Sequence, residues 1–226
     1  MKKILLILTL IISSNLAFAQ YTELVNIAEE NNKPKEYILY YDNGNKQVQS
    51  FIDGNDKLNG DTIYYFENGN IQGKGRMVNN EMVGDWEAYD EQSGKLSHVL
   101  SFENDEIVSK KLFYENGKLK SITPYVDGKI EGMFKEYYED GTLAGIENYK
   151  NDLFQGESKS YHKNGELKHI GRNENGKQEG TWKYYYDNGS LGVEVVYKKG
   201  EVVSEKIYKR GEVYEENYDD IFFFGN

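Results

Sequence analysis

The sequence predicts an all-β protein: an elongated antiparallel β-meander of about seven stacked β-hairpin repeats of about 24 residues, in one open, twisted sheet. Three observations predict it. Turn glycines recur at Gly44, Gly69, Gly94, Gly117, Gly141, Gly165 and Gly189, in steps of 25, 25, 23, 24, 24 and 24 residues, with a weaker copy at Gly211. A second turn marker stands between each pair: Asp53-Gly54, Asn79-Asn80, Asn104-Asp105, Asp127-Gly128, Asn151-Asp152, Asn175-Gly176 and Lys199-Gly200. Between these turns Tyr, Trp, Val and Ile alternate with polar residues, as in Leu191, Val193, Val195 and Tyr197, which suits a half-buried pleated surface and leaves no room for helices.

Taken in order, residues 1–19 read as an export signal: Lys2 and Lys3, an apolar run from Ile4 to Ile12, and a small-x-small site at Ala17-Phe18-Ala19. Residues 20–36 read as an N-terminal cap with a short helix, Thr22 as its N-cap and Pro34 after its end. Residues 37–215 carry the array, and 216–226 form an acidic and aromatic tail. Within a repeat, an apolar residue follows the turn Gly by two positions, as at Ile71, Leu96, Leu119, Leu143, Leu167 and Leu191. Six further on come Ile52, Met77, Phe102, Tyr125, Tyr149, Asn173 and Tyr197. A third column reads Gly60, Gly84, Ser109, Gly132, Gly156, Gly180 and Ser204, and a fourth reads Tyr65, Tyr89, Tyr114, Tyr137, Tyr161 and Tyr185. Asn-Gly and Asp-Gly supply the positive φ angles of a two-residue hairpin loop, and strand alternation predicts one apolar face with aromatic ladders and one polar face.

Composition restricts the function classes. The chain has 27 basic and 38 acidic residues, net −11, and loss of Lys2 and Lys3 with the signal makes it −13. Nucleic acid and anionic lipid surfaces need the opposite sign, so neither is an expected partner. With no Cys there are no disulfides, thiolate nucleophiles or Cys-ligated metals. After signal removal no segment is apolar enough to be a transmembrane helix.

The recurring Tyr-Tyr-x-Asn-Gly-x-Leu block resembles the MORN-like repeat. So do Gly-Lys-x-x-Gly at Gly128 to Gly132 and Gly176 to Gly180, and Gly-x-Trp at Gly84 to Trp86 and Gly180 to Trp182. The likeness is to the bacterial MORN repeat variant type, whose members are often labelled antitoxin components, and it covers residues 37 to 215. The resemblance implies stacked hairpins in an extended sheet and roles in scaffolding, protein interaction or membrane association. It implies no catalytic residues. Ser109, Ser204 and Asn79-Asn80 depart from the pattern.

No other motif competes. His98, His162 and His169 have no ligand spacing and read as variable sheet positions. Asp53, Asn55, Asp56 and Asp61 read as turn chemistry and not as a calcium loop, and Asn188-Gly189-Ser190 reads as a hairpin turn before it reads as a glycosylation sequon. No catalytic residue, metal ligand or cofactor site is expected, and an enzyme is not. The candidate binding surface is the set of aromatic positions: Trp86, Tyr89, Tyr114, Tyr125, Phe134, Tyr137, Tyr149, Tyr161, Trp182, Tyr185 and Tyr197. Rigid amphipathic rings on a repeated surface suit recognition. The leading expectation is a non-enzymatic exported module, periplasmic, outer-surface or secreted in a bacterium, that binds another protein or its own copy. The alternatives are a module that binds a carbohydrate or envelope polymer, and an antitoxin or immunity protein with a cognate toxin.

Overall fold

The computed structural model of the protein describes residues 33–208 and the backbone of 209 and 212–214. The export signal, most of the 20–36 cap with its helix, Gly211 and the 216–226 tail lie outside the described residues. Among the described residues every regular element is a strand, seventeen in all. They are β1 (Lys35–Tyr40), β2 (Lys46–Ile52), β3 (Gly60–Tyr65), β4 (Ile71–Val78), β5 (Glu81–Tyr89), β6 (Leu96–Glu103), β7 (Glu106–Phe113), β8 (Leu119–Val126) and β9 (Lys129–Ile130). The series continues with β10 (Gly132–Tyr137), β11 (Leu143–Lys150), β12 (Leu153–Tyr161), β13 (Leu167–Glu174), β14 (Lys177–Tyr185), β15 (Leu191–Lys198), β16 (Glu201–Lys209) and β17 (Glu212–Tyr214). Successive strands pair antiparallel in chain order, giving one open meander of hairpins. The short β9 and β10 both lie against β8 and act as one strand interrupted at Glu131, near Pro124, which has no N–H to give the ladder.

The two turns of a repeat are chemically different. At the second turn both loop residues are left-handed, with φ of 50° and 64° at Asn104 and Asp105 and of 49° and 74° at Asp127 and Gly128. These are the expected two-residue loops. The turns at the periodic glycines are not. Tyr41 N–H donates to Asn45 O at 2.8 Å and Gly44 N–H to Tyr41 O at 2.9 Å, and of the loop residues Gly44 alone has a positive φ, 85°. This is a three-residue loop in which a right-handed turn ends in one left-handed glycine. Asn43 is freed from backbone duty, and its Oδ1 accepts the Asn45 N–H at 2.9 Å. The Asp53-Gly54 turn expected in the first repeat is corrected by the structure. Asp56, φ 58°, takes the left-handed position there, with Asp53 N–H donating to Lys57 O at 2.9 Å, a loop of the Gly44 kind closed on an aspartate.

Neighbouring repeats are tied at the turns. Asn43, Asn116 and Asn164 donate through Nδ2 to the carbonyls of Glu67, Glu139 and Asp187 in the next repeat, at 2.8, 2.9 and 2.6 Å. The residue opening each loop adds a second tie: Tyr41, Tyr114 and Tyr138 hydroxyls donate to Tyr65, Tyr137 and Tyr161 carbonyls at 2.8, 2.7 and 2.6 Å. Tyr114 therefore belongs to this loop column, and Phe113 holds the strand-end position that the sequence pattern assigned to Tyr114.

A register shift recurs one residue before each strand reaches its loop, as at Tyr64/Tyr65, Ala88/Tyr89 and Tyr184/Tyr185. It corrects the expected single apolar face. Leu191 pairs with Tyr185, whereas Val193 and Val195 pair with Tyr184 and Trp182 across the strand, on the opposite face. Both faces are consequently part apolar. One carries Trp86, Trp182, Val193 and Val195; the other carries the Tyr–Leu pairs and a line of lysines. Buried Val48, Met77, Trp86, Trp182, Val193 and Val195 all lie on the tryptophan face, which is the core side, while Val99 is buried on the lysine face between Glu87 and Lys111.

Candidate binding surfaces

The lysine face is built by register. Gln49, Ile63, Lys74, Glu87, Val99, Lys111 and Ile122 stand directly opposite one another in successive strands. The line continues unbroken through Lys135, Ile146, Lys159, Ile170, Lys183, Glu194 and Lys206. With strands about 4.8 Å apart, a lysine returns about every 10 Å, alternating with Ile or Val over much of its length. Next to this line run the strand-end rings, each in register with an aliphatic partner: Tyr65 with Ile71, Tyr89 with Leu96, Tyr137 with Leu143, Tyr161 with Leu167 and Tyr185 with Leu191. Lys74 pairs with Glu87 at 3.1 Å and lies over the Tyr89 ring at 5.6 Å, and Lys206 lies 5.0 Å over Tyr208. Lys183 pairs with Glu194 at 3.3 Å.

The tryptophan face is organised by glycine. Gly60, Gly84, Gly132, Gly156 and Gly180 stand opposite Met77, Phe102, Tyr149, Asn173 and Tyr197. All five glycines have positive φ. Each indole lies flat against a different glycine. A Cβ on Gly75 would sit 2.3 Å from the Trp86 ring, and one on Gly171 would sit 2.0 Å from the Trp182 ring. The indole N–H groups donate to Arg76 O at 3.2 Å and Arg172 O at 3.1 Å. Both rings are thus fixed walls.

The structure divides the sequence-derived aromatic set. Trp86, Phe134, Tyr149, Trp182 and Tyr197 share the tryptophan face with Tyr125; Tyr89, Tyr137, Tyr161 and Tyr185 share the lysine face; Tyr114 sits at a loop. The two tryptophans are buried and the other nine are half-buried, so none stands free as a platform.

Two residues outside that set matter more: His169, which the sequence reads as a variable sheet position, and Glu147, which it does not single out. His169 packs 5.6 Å from Trp182 and 5.8 Å from Tyr184, accepts or donates with Ser160 Oγ at 2.7 Å, and burial brings its imidazole down to about 4, so it is neutral near pH 7. Glu147 stands in the middle of the same face between Phe134 and Ser158. Ser158 Oγ donates to Glu147 Oε1 at 2.7 Å, Oε2 is buried without a hydrogen-bond partner, and desolvation holds the carboxyl above its ordinary range. Glu147 reads as an ordinary surface glutamate in the sequence; only its register next to Ser158 exposes it. Both groups line a cleft of about 720 Å³ that opens over β11 to β16, with Phe154, Asn173, Gln178 and Trp182 among its other walls. Among the described residues no cluster of His, Asp and Glu could hold a metal ion, and no helix is long and apolar enough to cross a membrane.

No curated protein matches the chain. Among solved structures, the chain is similar to the S. aureus TarM mutant in complex with fondaparinux, alpha-GlcNAc-glycerol and UDP, at 11 % identity and TM-score 0.28, over 59 % of this chain and 23 % of that one. It is similar to the Photorhabdus luminescens Tc holotoxin pore at 14 % identity and TM-score 0.24, over 77 % of this chain and 12 % of that one. A porin-like protein from Bacteroides uniformis matches at 9 % identity and TM-score 0.20, over 75 % of this chain and 91 % of that one. None of these superpositions is close enough to define a shared fold, and the chain spans under a quarter of the first two proteins. The family comparison is more direct: residues 58–79, 109–127, 130–151, 154–172 and 178–199 match the MORN repeat variant.

Proposed function

We propose that the chain is a non-enzymatic, exported interaction module that binds another protein through its lysine face. MORN repeats are units of proteins that bind other molecules, and the matched segments supply the lysine line from Ile63 to Lys183 apart from Glu87 and Val99. The observation that carries the reading is the unbroken register line of Lys alternating with Ile or Val, flanked by Tyr–Leu pairs. A surface with the same chemistry in every repeat, whose long side chains offer both an apolar stem and a charge, fits an extended protein partner with acidic groups at matching intervals. Rings already packed against leucine lose little freedom on binding, which favours affinity.

The test is a pull-down of residues 20–226 from the envelope fraction of the source organism, run beside a Lys111→Glu, Lys135→Glu, Lys159→Glu triple variant. The expected result is one stoichiometric partner held by the parent chain and lost by the variant at unchanged melting temperature. Equal capture by both chains would refute the lysine face as the binding surface.

A further inference from the structure

The tryptophan face contains the same local framework twice, and the two copies are finished differently. In the first, Ser50 and Thr62 hydroxyls meet at 2.5 Å, both fully buried, and Met77, 5 % exposed, closes the space beside Trp86. In the second, Glu147 and Ser158 take the places of Ser50 and Thr62, and Asn173 takes that of Met77. The apolar plug is replaced by hydrogen-bonding groups, and a cleft of about 720 Å³ lies open at that point.

We infer that this cleft is a binding site for a neutral oligosaccharide. Three features select that chemistry. Glu147 Oε2 is the one buried side-chain polar atom without a partner among the described residues, an acceptor that needs a donor such as a sugar hydroxyl. Asn173 and Gln178, with the neutral imidazole of His169, add planar groups that can each both donate and accept, which suits vicinal hydroxyls. Phe154, 37 % exposed and braced 4.6 Å from Tyr149, offers a ring for the C–H face of a pyranose, whereas Trp182, 4 % exposed, forms the wall. The charged lining is balanced, two lysines, Lys177 and Lys199, against two glutamates, Glu147 and Glu201, so a ligand without net charge fits best. The site is on the opposite face from the lysine line, so its failure and the failure of the protein-binding surface are separate events.

The test titrates the full mature chain with cellohexaose, chitohexaose, xylohexaose and maltohexaose, followed by tryptophan fluorescence and calorimetry. At least one of the four is expected to give a saturable signal. Phe154→Ala should weaken that binding at least tenfold. Glu147→Leu should abolish it with little change in melting temperature, because relief of the buried carboxylate offsets the bond lost by Ser158. Lys135→Glu on the other face should bind as the parent does. The site is overturned if none of the four sugars binds, or if Glu147→Leu and Phe154→Ala bind as tightly as the parent chain.

Discussion

The Trp86 and Trp182 neighbourhoods share a skeleton and differ in what fills it. Each places an indole flat on a glycine, Gly75 or Gly171, with its N–H on the carbonyl of the following arginine, at 3.2 Å in one and 3.1 Å in the other. Around Trp86 stand Met77, Tyr64 and Ala88, while around Trp182 stand Asn173, His169 and Tyr184. The difference teaches that the repeat framework is held by backbone geometry and the Trp–Gly contact. The positions between them are free to be tuned, apolar in one copy and polar beside a cleft in the other.

The largest expected effect tests the shared part. Gly75→Ala and Gly171→Ala put a methyl within 2.3 and 2.0 Å of the indole, so each displaces its tryptophan. Each should cost about 3 kcal/mol in urea unfolding, the upper end of core overpacking. Equal losses would confirm that the two frameworks are equivalent, and a loss at only one would break the comparison. Next comes the exchange of the tuned position. Met77→Asn should cost about 2 to 3 kcal/mol, from lost packing and a buried amide without partners. Asn173, 7 % exposed, is nearly as closed as Met77, 5 % exposed; Asn173→Met should still cost only about 1 kcal/mol, since burying a thioether in place of an amide offsets the strain of the larger side chain. Similar losses from both substitutions would mean that packing, and not the polarity of the side chain, governs this position.

A third test uses pH. Burial, with Lys168 adding to it, brings the folded His169 down to about 4 from 6.5, so the folded state binds fewer protons than the unfolded state between those values. Its contribution is complete above about pH 6.5 and is lost as pH falls toward about 4, a decrease of about 1 to 2 kcal/mol once solvent access is allowed for. Glu147, held above its ordinary range, acts in the opposite sense and gains stability as pH falls, so the melt series belongs in a Glu147→Gln background. There His169→Asn should flatten the acid side of the curve. The Trp86 copy has Gly73 at the place of His169, but His98, opposite Ala88, is lowered by burial there and acts in the same sense, so a His98→Asn variant is melted beside the His169→Asn one. The smallest effect is at the repeat junctions. Asn116→Ala removes the 2.9 Å bond to Glu139 O and should cost about 0.5 to 1 kcal/mol by thermal melting, since the carbonyl turns to water. Asp140, which occupies the same loop position in its repeat without a donor, shows that one such tie is dispensable.

Much of the fold is legible in the chain because turn chemistry is local. Asn104-Asp105 and Asp127-Gly128 take the left-handed pairs that their types favour, and the leucine and tyrosine columns meet in register as spaced. The faces are less legible. A one-residue shift beside each loop moves Leu191 away from Val193, and strict alternation has no means of anticipating it. The aromatic columns therefore read as one ladder where there are two surfaces. The second role of Asn43 is likewise hidden, because its partner, Glu67 O, lies a whole repeat away.

By itself the sequence determined the class, the period and the hairpin order, since these rest on side chains acting on their own backbone within a few residues. The tertiary structure alone decided which residues share a face, that the tryptophans are walls over Gly75 and Gly171, and that Glu147 is left with a buried acceptor. Those outcomes depend on register between strands, where a single bulge reverses every side chain beyond it, so they exist only once the strands have paired.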